Sequence, residues 1–208
     1  ASVRKTAGVR VFPTMVYVAP AGIGAFPYDT PDKATTNLQA AIDAAAPGTT
    51  VLATNGIYPV TTPVILRRAV MLSSASGADL TAIERRAGNN TRLLVVMHPG
   101  AQVARFTLRN GSWQNSGMAY GGAAWMTAGM IRDCIISNNL AGGLPNQPGL
   151  GGGVYQEGGT LRNCVLFRNR CQSANSTANG GGIALIGGLV ENCTVVSNMA
   201  QGFLGSAV

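Results

Sequence analysis

Short β-branched runs alternate with glycine and asparagine turn signals along most of this chain, and the alternation recurs at a fixed interval. Three ten-residue segments align without gaps: Met130–Asn139, Thr160–Asn169 and Leu189–Asn198. Their cysteines, Cys134, Cys164 and Cys193, stand 30 and 29 residues apart, and each is followed five residues later by Asn139, Asn169 or Asn198. Asn110 extends the asparagine series backwards, 29 residues before Asn139. A glycine cluster precedes each cysteine at Gly121-Gly122, Gly151–Gly153 and Gly180–Gly182. The repeats lack the three- and four-residue apolar spacing of a helix. Pairs such as Ile135-Ile136 and Val195-Val196, set between turn residues, predict strands instead. Self-similarity at this period indicates a solenoid. Three short strands and three turns fill one coil, and coils stack at the inter-strand spacing of roughly 4.8 Å. One coil cannot bury its inner face, so stacking supplies the core. The expected fold is an all-β parallel β-helix (a β-solenoid) with coils of 29 to 30 residues.

The pattern changes toward the N-terminus. Residues 36–48 predict a short amphipathic helix, with Leu38, Ala41, Ile42 and Ala45 on one face. Thr36 or Asn37 is placed to cap its start, and Pro47-Gly48 stops it. A solenoid has an apolar open end that invites edge-to-edge association unless covered, and this helix is expected to cover it. The chain therefore divides into an extended segment at 1–35, a capping helix at 36–48 and coils over 49–208, all within one domain. Val9–Phe12 and Met15–Val18 in the first segment are strand-like.

Stacking gives the repeated columns a physical meaning. Asn139, Asn169 and Asn198, with Asn110, are expected to form a ladder of side-chain amides at a bend, as occurs in stacked β structures. Asparagine also tolerates the left-handed backbone of tight bends. Cys134, Cys164 and Cys193 form a second column, either of small buried side chains or with one neighbouring pair near enough for a disulfide. Three in-line cysteines make no tetrahedral metal site. Cys171 falls in a loop.

Composition removes several classes. Charged residues are 11% and apolar residues 46% of the 208 positions; disorder needs the opposite balance. No apolar run reaches the roughly 18 residues of a membrane-spanning helix. The net charge of +7 rests on 13 Arg and 2 Lys, which are scattered and match no nucleic-acid-binding motif. Eight carboxylates are spread along the chain, and the only histidine, His98, has no paired Ser or Cys motif nearby. No catalytic centre, cofactor site or metal site is expected. One surface feature suits a ligand: Trp125 and Tyr155 each lie nine residues before a repeat cysteine and so share a column. Arg132 and Arg162 share another, seven positions on. Aromatic faces near arginine would suit a sugar or an acidic glycan.

The stretch Tyr17–Pro20, the helix, Ala46–Ala53 and Gly56–Tyr58 resembles the entry of right-handed parallel β-helix proteins of the pectate-lyase-like superfamily. The Gly-Gly-Gly-Val/Ile and Asn-Cys-(x)4-Asn units are similar to repeats of exported bacterial β-helix proteins and of polymorphic outer-membrane adhesins. The resemblance covers about residues 15 to 200 and implies the fold and its right-handed winding. It leaves function open, because this fold hosts lyases, hydrolases, adhesins and fibres. The expectation is a non-enzymatic extracellular or cell-surface scaffold of adhesin type, binding an acidic glycan or itself. Phe203, Leu204 and Val208 would then dock on another copy and build a fibre. The alternative is the N-terminal part of a polysaccharide-binding or polysaccharide-degrading enzyme.

Overall fold

Inward and outward side chains alternate along a strand, and here the inward ones fall on the same columns coil after coil. The computed structural model describes residues 13–115, 117–143 and 147–202. β1 (Met15–Val18) leads through α1 (Leu38–Ala44) into β2 (Thr50–Ala53), β3 (Gly56–Val60) and β4 (Val64–Leu66). The next coil is β5 (Met71–Ser74), β6 (Thr81–Arg85) and β7 (Leu94–Val96). Then come β8 (Gln102–Ala104), β9 (Thr107–Arg109), β10 (Ser112–Asn115), β11 (Ala119–Tyr120) and β12 (Ala124–Met126). The same order repeats in β13 (Met130–Arg132), β14 (Ile135–Ser137), β15 (Leu140–Gly143), β16 (Gly149–Leu150) and β17 (Val154–Gln156). It repeats again in β18 (Thr160–Arg162), β19 (Val165–Phe167), β20 (Arg170–Ser173), β21 (Ala178–Asn179) and β22 (Ile183–Leu185). β23 (Leu189–Glu191), β24 (Thr194–Val196) and β25 (Met199–Gln201) stack on that coil in turn.

Among the described residues every pairing between two strands is parallel, and the pairings build a parallel β-solenoid. Sheet I runs β1-β2-β5-β8-β13-β18-β23, sheet II β3-β6-β9-β14-β19-β24 and sheet III β4-β7-β12-β17-β22. Val16, Val51, Leu72, Val103, Ile131 and Leu161 stack in register down sheet I with no exposed surface. Ile83, Leu108, Ile136 and Leu166 do the same in sheet II. These columns are the core. Cys134, Cys164 and Cys193 fill the bend between sheets I and II as free thiols, the first two buried. The Cys134 thiol beside it, together with burial, pushes the Cys164 thiol up.

Three strands per coil are not the whole story. From β10 onward each coil carries two more, which form sheet IV (β10-β15-β20-β25) and sheet V (β11-β16-β21). Ala141, Ala178 and Cys171 are buried in these two sheets. Cys171 thus lies on β20, not in a loop, and burial pushes its thiol up to about 12. The folded state therefore favours the protonated thiol. That contribution is complete below the ordinary thiol pKa of about 8.5 and is lost as pH rises toward 12. Urea melts should show stability falling between pH 8 and 11, with a shallower fall in Cys171→Ala. The early coils are also shorter: Thr50 pairs with Met71 and Gly56 with Thr81.

α1 begins at Asn37, whose side chain accepts from the Ala40 N–H at 3.0 Å. Leu38, Ala41, Ile42 and Ala45 are buried, as the spacing predicts. On its other side Gln39 acts as a piece of strand. Its Oε1 accepts from the Ile65 N–H at 2.7 Å and its Nε2 donates to the Ile65 carbonyl at 3.3 Å, closing the edge of β4. Gln39→Ala should cost about 1–2 kcal/mol in urea denaturation, with the fold retained. Val9–Phe12, read as a strand, lies outside the described residues, as do Phe203, Leu204 and Val208. No helix among the described residues is long and apolar enough to cross a membrane.

Candidate functional site

Asn139 donates from its backbone N–H and from Nδ2 to Asn169 Oδ1, at 3.1 and 2.9 Å. Asn169 repeats both bonds to Asn198 Oδ1, at 3.0 and 2.9 Å. Each Nδ2 also reaches a strand carbonyl of the preceding coil: Leu108, Ile136 and Leu166 in turn. Both side-chain amide hydrogens of Asn139 and of Asn169 are spent on the stack, and both residues are buried. Asn110 stands outside this ladder. Leu108 pairs with Ile136, so Asn110 aligns with Asn138, and both adopt positive φ, 60° and 56°. Gly111 holds the ladder position and donates its N–H to Asn139 Oδ1 at 2.8 Å. The interval there is 28 residues, one fewer than the asparagine count assumes. A second bend column, Arg105, Asp133, Asn163 and Asn192, also takes positive φ.

Trp125 and Tyr155 pair in register on the outward face of sheet III. Tyr120, on sheet V, joins them across the glycine elbow. Its ring lies 4.5 Å from Tyr155 and 6.4 Å from Trp125, tilted by 31° and 33°. Glu157 accepts from Trp125 Nε1 at 3.0 Å and holds the indole in place. Burial, then the negative charge of Glu157, raises the Tyr155 phenol.

Arg92 supplies the cation. The segment before β7 bridges antiparallel to β10 through Thr91 and Ser112, which sets Arg92 beside Trp113. Its guanidinium lies 4.5 Å from the centroid of Trp113 and 5.3 Å from that of Trp125. Arg92 is 4% exposed, and its buried Nη1 has no hydrogen-bond partner among the described residues. No carboxylate among the described residues pairs with it. Burial lowers its pKa to about 10, so it remains charged at neutral pH. Two indole faces meet that charge, each worth up to about 2 kcal/mol where water is excluded.

Arg132 and Arg162 are in register on sheet I, a sheet away from these rings. Arg132 is tied to Asp133 at 2.6 Å and Arg162 to Glu191 at 3.4 Å, so their charge is answered locally. The structure brings Trp125 and Tyr155 together with Tyr120, Trp113 and Arg92, residues that the repeat pattern does not single out. Arg92 falls in the irregular stretch before β7, and Tyr120 sits on a two-residue strand.

The carboxylates do not gather. Asp29 pairs with Lys33, Asp43 with Arg68 and Glu84 with Arg109. No group of three or more His, Cys, Asp or Glu among the described residues is placed to hold a metal. His98 accepts the Gly100 N–H within its own turn at 3.0 Å. Fold and site together define a β-solenoid with a lateral aromatic corner. Comparison with protein-family models, with curated proteins and with solved structures finds no match to this chain.

Proposed function

We propose that this chain is a non-enzymatic extracellular or cell-surface scaffold of adhesin type, which presents its aromatic corner to an acidic glycan. The observation that carries this reading is the buried, carboxylate-free Arg92 wedged between Trp113 and Trp125 beside the Tyr120–Tyr155 pair. Indole and phenol faces stack on the apolar faces of sugar rings, and the Arg92 charge beneath them, too buried to touch a ligand, gives the corner a positive field that favours an anionic one. A rigid stack suits such a surface, because rings held by packing lose little freedom on binding.

The test is tryptophan fluorescence titration with acidic and neutral oligosaccharides of matched length. Acidic chains should bind more tightly. Trp125→Ala should weaken binding about tenfold, a loss of about 1.4 kcal/mol, while Arg132→Ala should leave it unchanged. Equal, weak responses to every glycan would overturn the proposal. Cleavage of a polymer would move the reading to a polysaccharide-degrading enzyme.

A further inference from the structure

Two opposite charges flank the Trp125 indole, and neither takes part in an ion pair among the described residues. β12, which carries Trp125, lies between β7 and β17 in sheet III. Arg92 reaches the ring from the β7 side, with its guanidinium 5.3 Å from the centroid. Glu157 reaches it from the β17 side and accepts from Nε1 at 3.0 Å. Arg132 and Arg162, with Asp133 and Glu191 beside them, show the ordinary pairing that these two charges lack.

The two charges act on a ligand differently. Arg92 is buried and reaches a ligand only through its field. Glu157 is exposed. The indole engages its Oε2, which leaves Oε1 to accept from a hydroxyl or an amide N–H of a ligand. Burial, then the Glu157 charge, raises the Tyr155 phenol, so the field of this carboxylate extends over the neighbouring ring. A sugar chain laid across the indole along the stack axis passes from the Arg92 side to the Glu157 side. Both side chains converge on one ring, so neighbouring sugars of that chain meet them. An acidic group is attracted at the first place and repelled at the second.

We propose that Glu157 is a specificity-determining residue, which restricts the corner to glycans whose acidic sugars alternate with uncharged ones. The inference rests on the acidic-glycan reading above and narrows it. A polymer with an acid on every sugar meets Glu157 with a like charge in every register. An alternating polymer has one register that sets its acid toward Arg92 and a hydroxyl or amide toward Glu157. Selection of this kind comes from the repulsive group as much as from the attractive one.

The test is tryptophan fluorescence titration at low salt with three oligosaccharides of equal length. Hyaluronan fragments alternate a uronate with an N-acetylated sugar, oligogalacturonate carries an acid on every sugar, and chitooligosaccharide carries none. Hyaluronan fragments should bind about three- to fivefold more tightly than oligogalacturonate, the range of an exposed charge contact. Glu157→Gln keeps an oxygen for Trp125 Nε1 and removes the charge, so oligogalacturonate should tighten until the two acidic ligands bind alike. Met126 pairs with Gln156, which sets Thr127 beside Glu157. Thr127→Lys therefore answers the carboxylate without touching its bond to the indole, and it should close the same gap. A purely structural Glu157 would move both acidic ligands by one factor. That result in both variants, or equal affinity for the two acidic ligands in the parent, would overturn the inference and leave the acidic-glycan reading standing. Chitooligosaccharide binding as tightly as either acidic ligand would sink that reading, and the inference with it.

Discussion

Asn169→Ala should destabilise the chain by about 3–4 kcal/mol and lower its melting temperature by roughly 10 °C. The change removes four hydrogen bonds at once. Asn139 loses the acceptor for its N–H and its Nδ2, Ile136 loses a side-chain donor to its carbonyl, and Asn198 Oδ1 keeps only the backbone N–H of residue 169. Water does not replace the partner, because Asn169 is 1% exposed. A buried polar group stripped of its partner costs about 1–3 kcal/mol, and here several share the loss. Asn110→Gly is the matched control. Asn110 is exposed, stands outside the ladder and holds a φ of 60° that glycine adopts freely. Thermal melts of the two variants should differ by most of that 10 °C. Equal melting temperatures would mean that the ladder stabilises nothing.

The second large effect is expected from Gly152→Ala. Gly152 sits at the elbow between β16 and β17, where successive coils touch backbone to backbone. A Cβ there would lie 2.3 Å from the Gly181 carbonyl oxygen and 2.4 Å from the Arg170 carbonyl carbon. Neither is a flexible side-chain tip, and a Cβ has no rotamer by which to escape. The stack must open at that level, at a cost of about 3 kcal/mol or more. Hydrogen exchange should show lost protection in β18–β25, with β1–β9 much less affected, because each coil contacts only its neighbours. A melting temperature within 1–2 °C of the parent's, or uniform loss of protection, would contradict this account.

The repeat was readable because three column types, glycine, cysteine and asparagine, hold one phase from Gly121 to Asn198. A position that must pack against its own copy leaves that kind of periodic trace. Sheets IV and V left none. Leu140–Gly143 and Gly149–Leu150 are too short and too rich in glycine to show alternation, and their closeness comes from the elbow. Asn110 was placed by counting a constant period through a coil one residue shorter. The aromatic corner was half visible. Trp125 and Tyr155 lie on repeat columns, but Arg92 comes from a stretch that repeats nowhere. It meets Trp113 through a single antiparallel bridge, a long-range contact that local pattern does not encode. Arg132 and Arg162 were in register as expected, yet acidic neighbours had already claimed them.

The asparagine ladder also has a direction. In each rung the earlier coil donates and the later coil accepts, so the side-chain amide dipoles point the same way along the axis. A coil that brings its own asparagine in phase fits between two existing rungs without disturbing either, for it accepts above and donates below. Duplication of one repeat would therefore lengthen the molecule by a fixed step of roughly 4.8 Å and leave its polarity intact. The stack is a ruler graduated by a single side chain, and genetic slippage in units of one coil can change its length without redesigning its core.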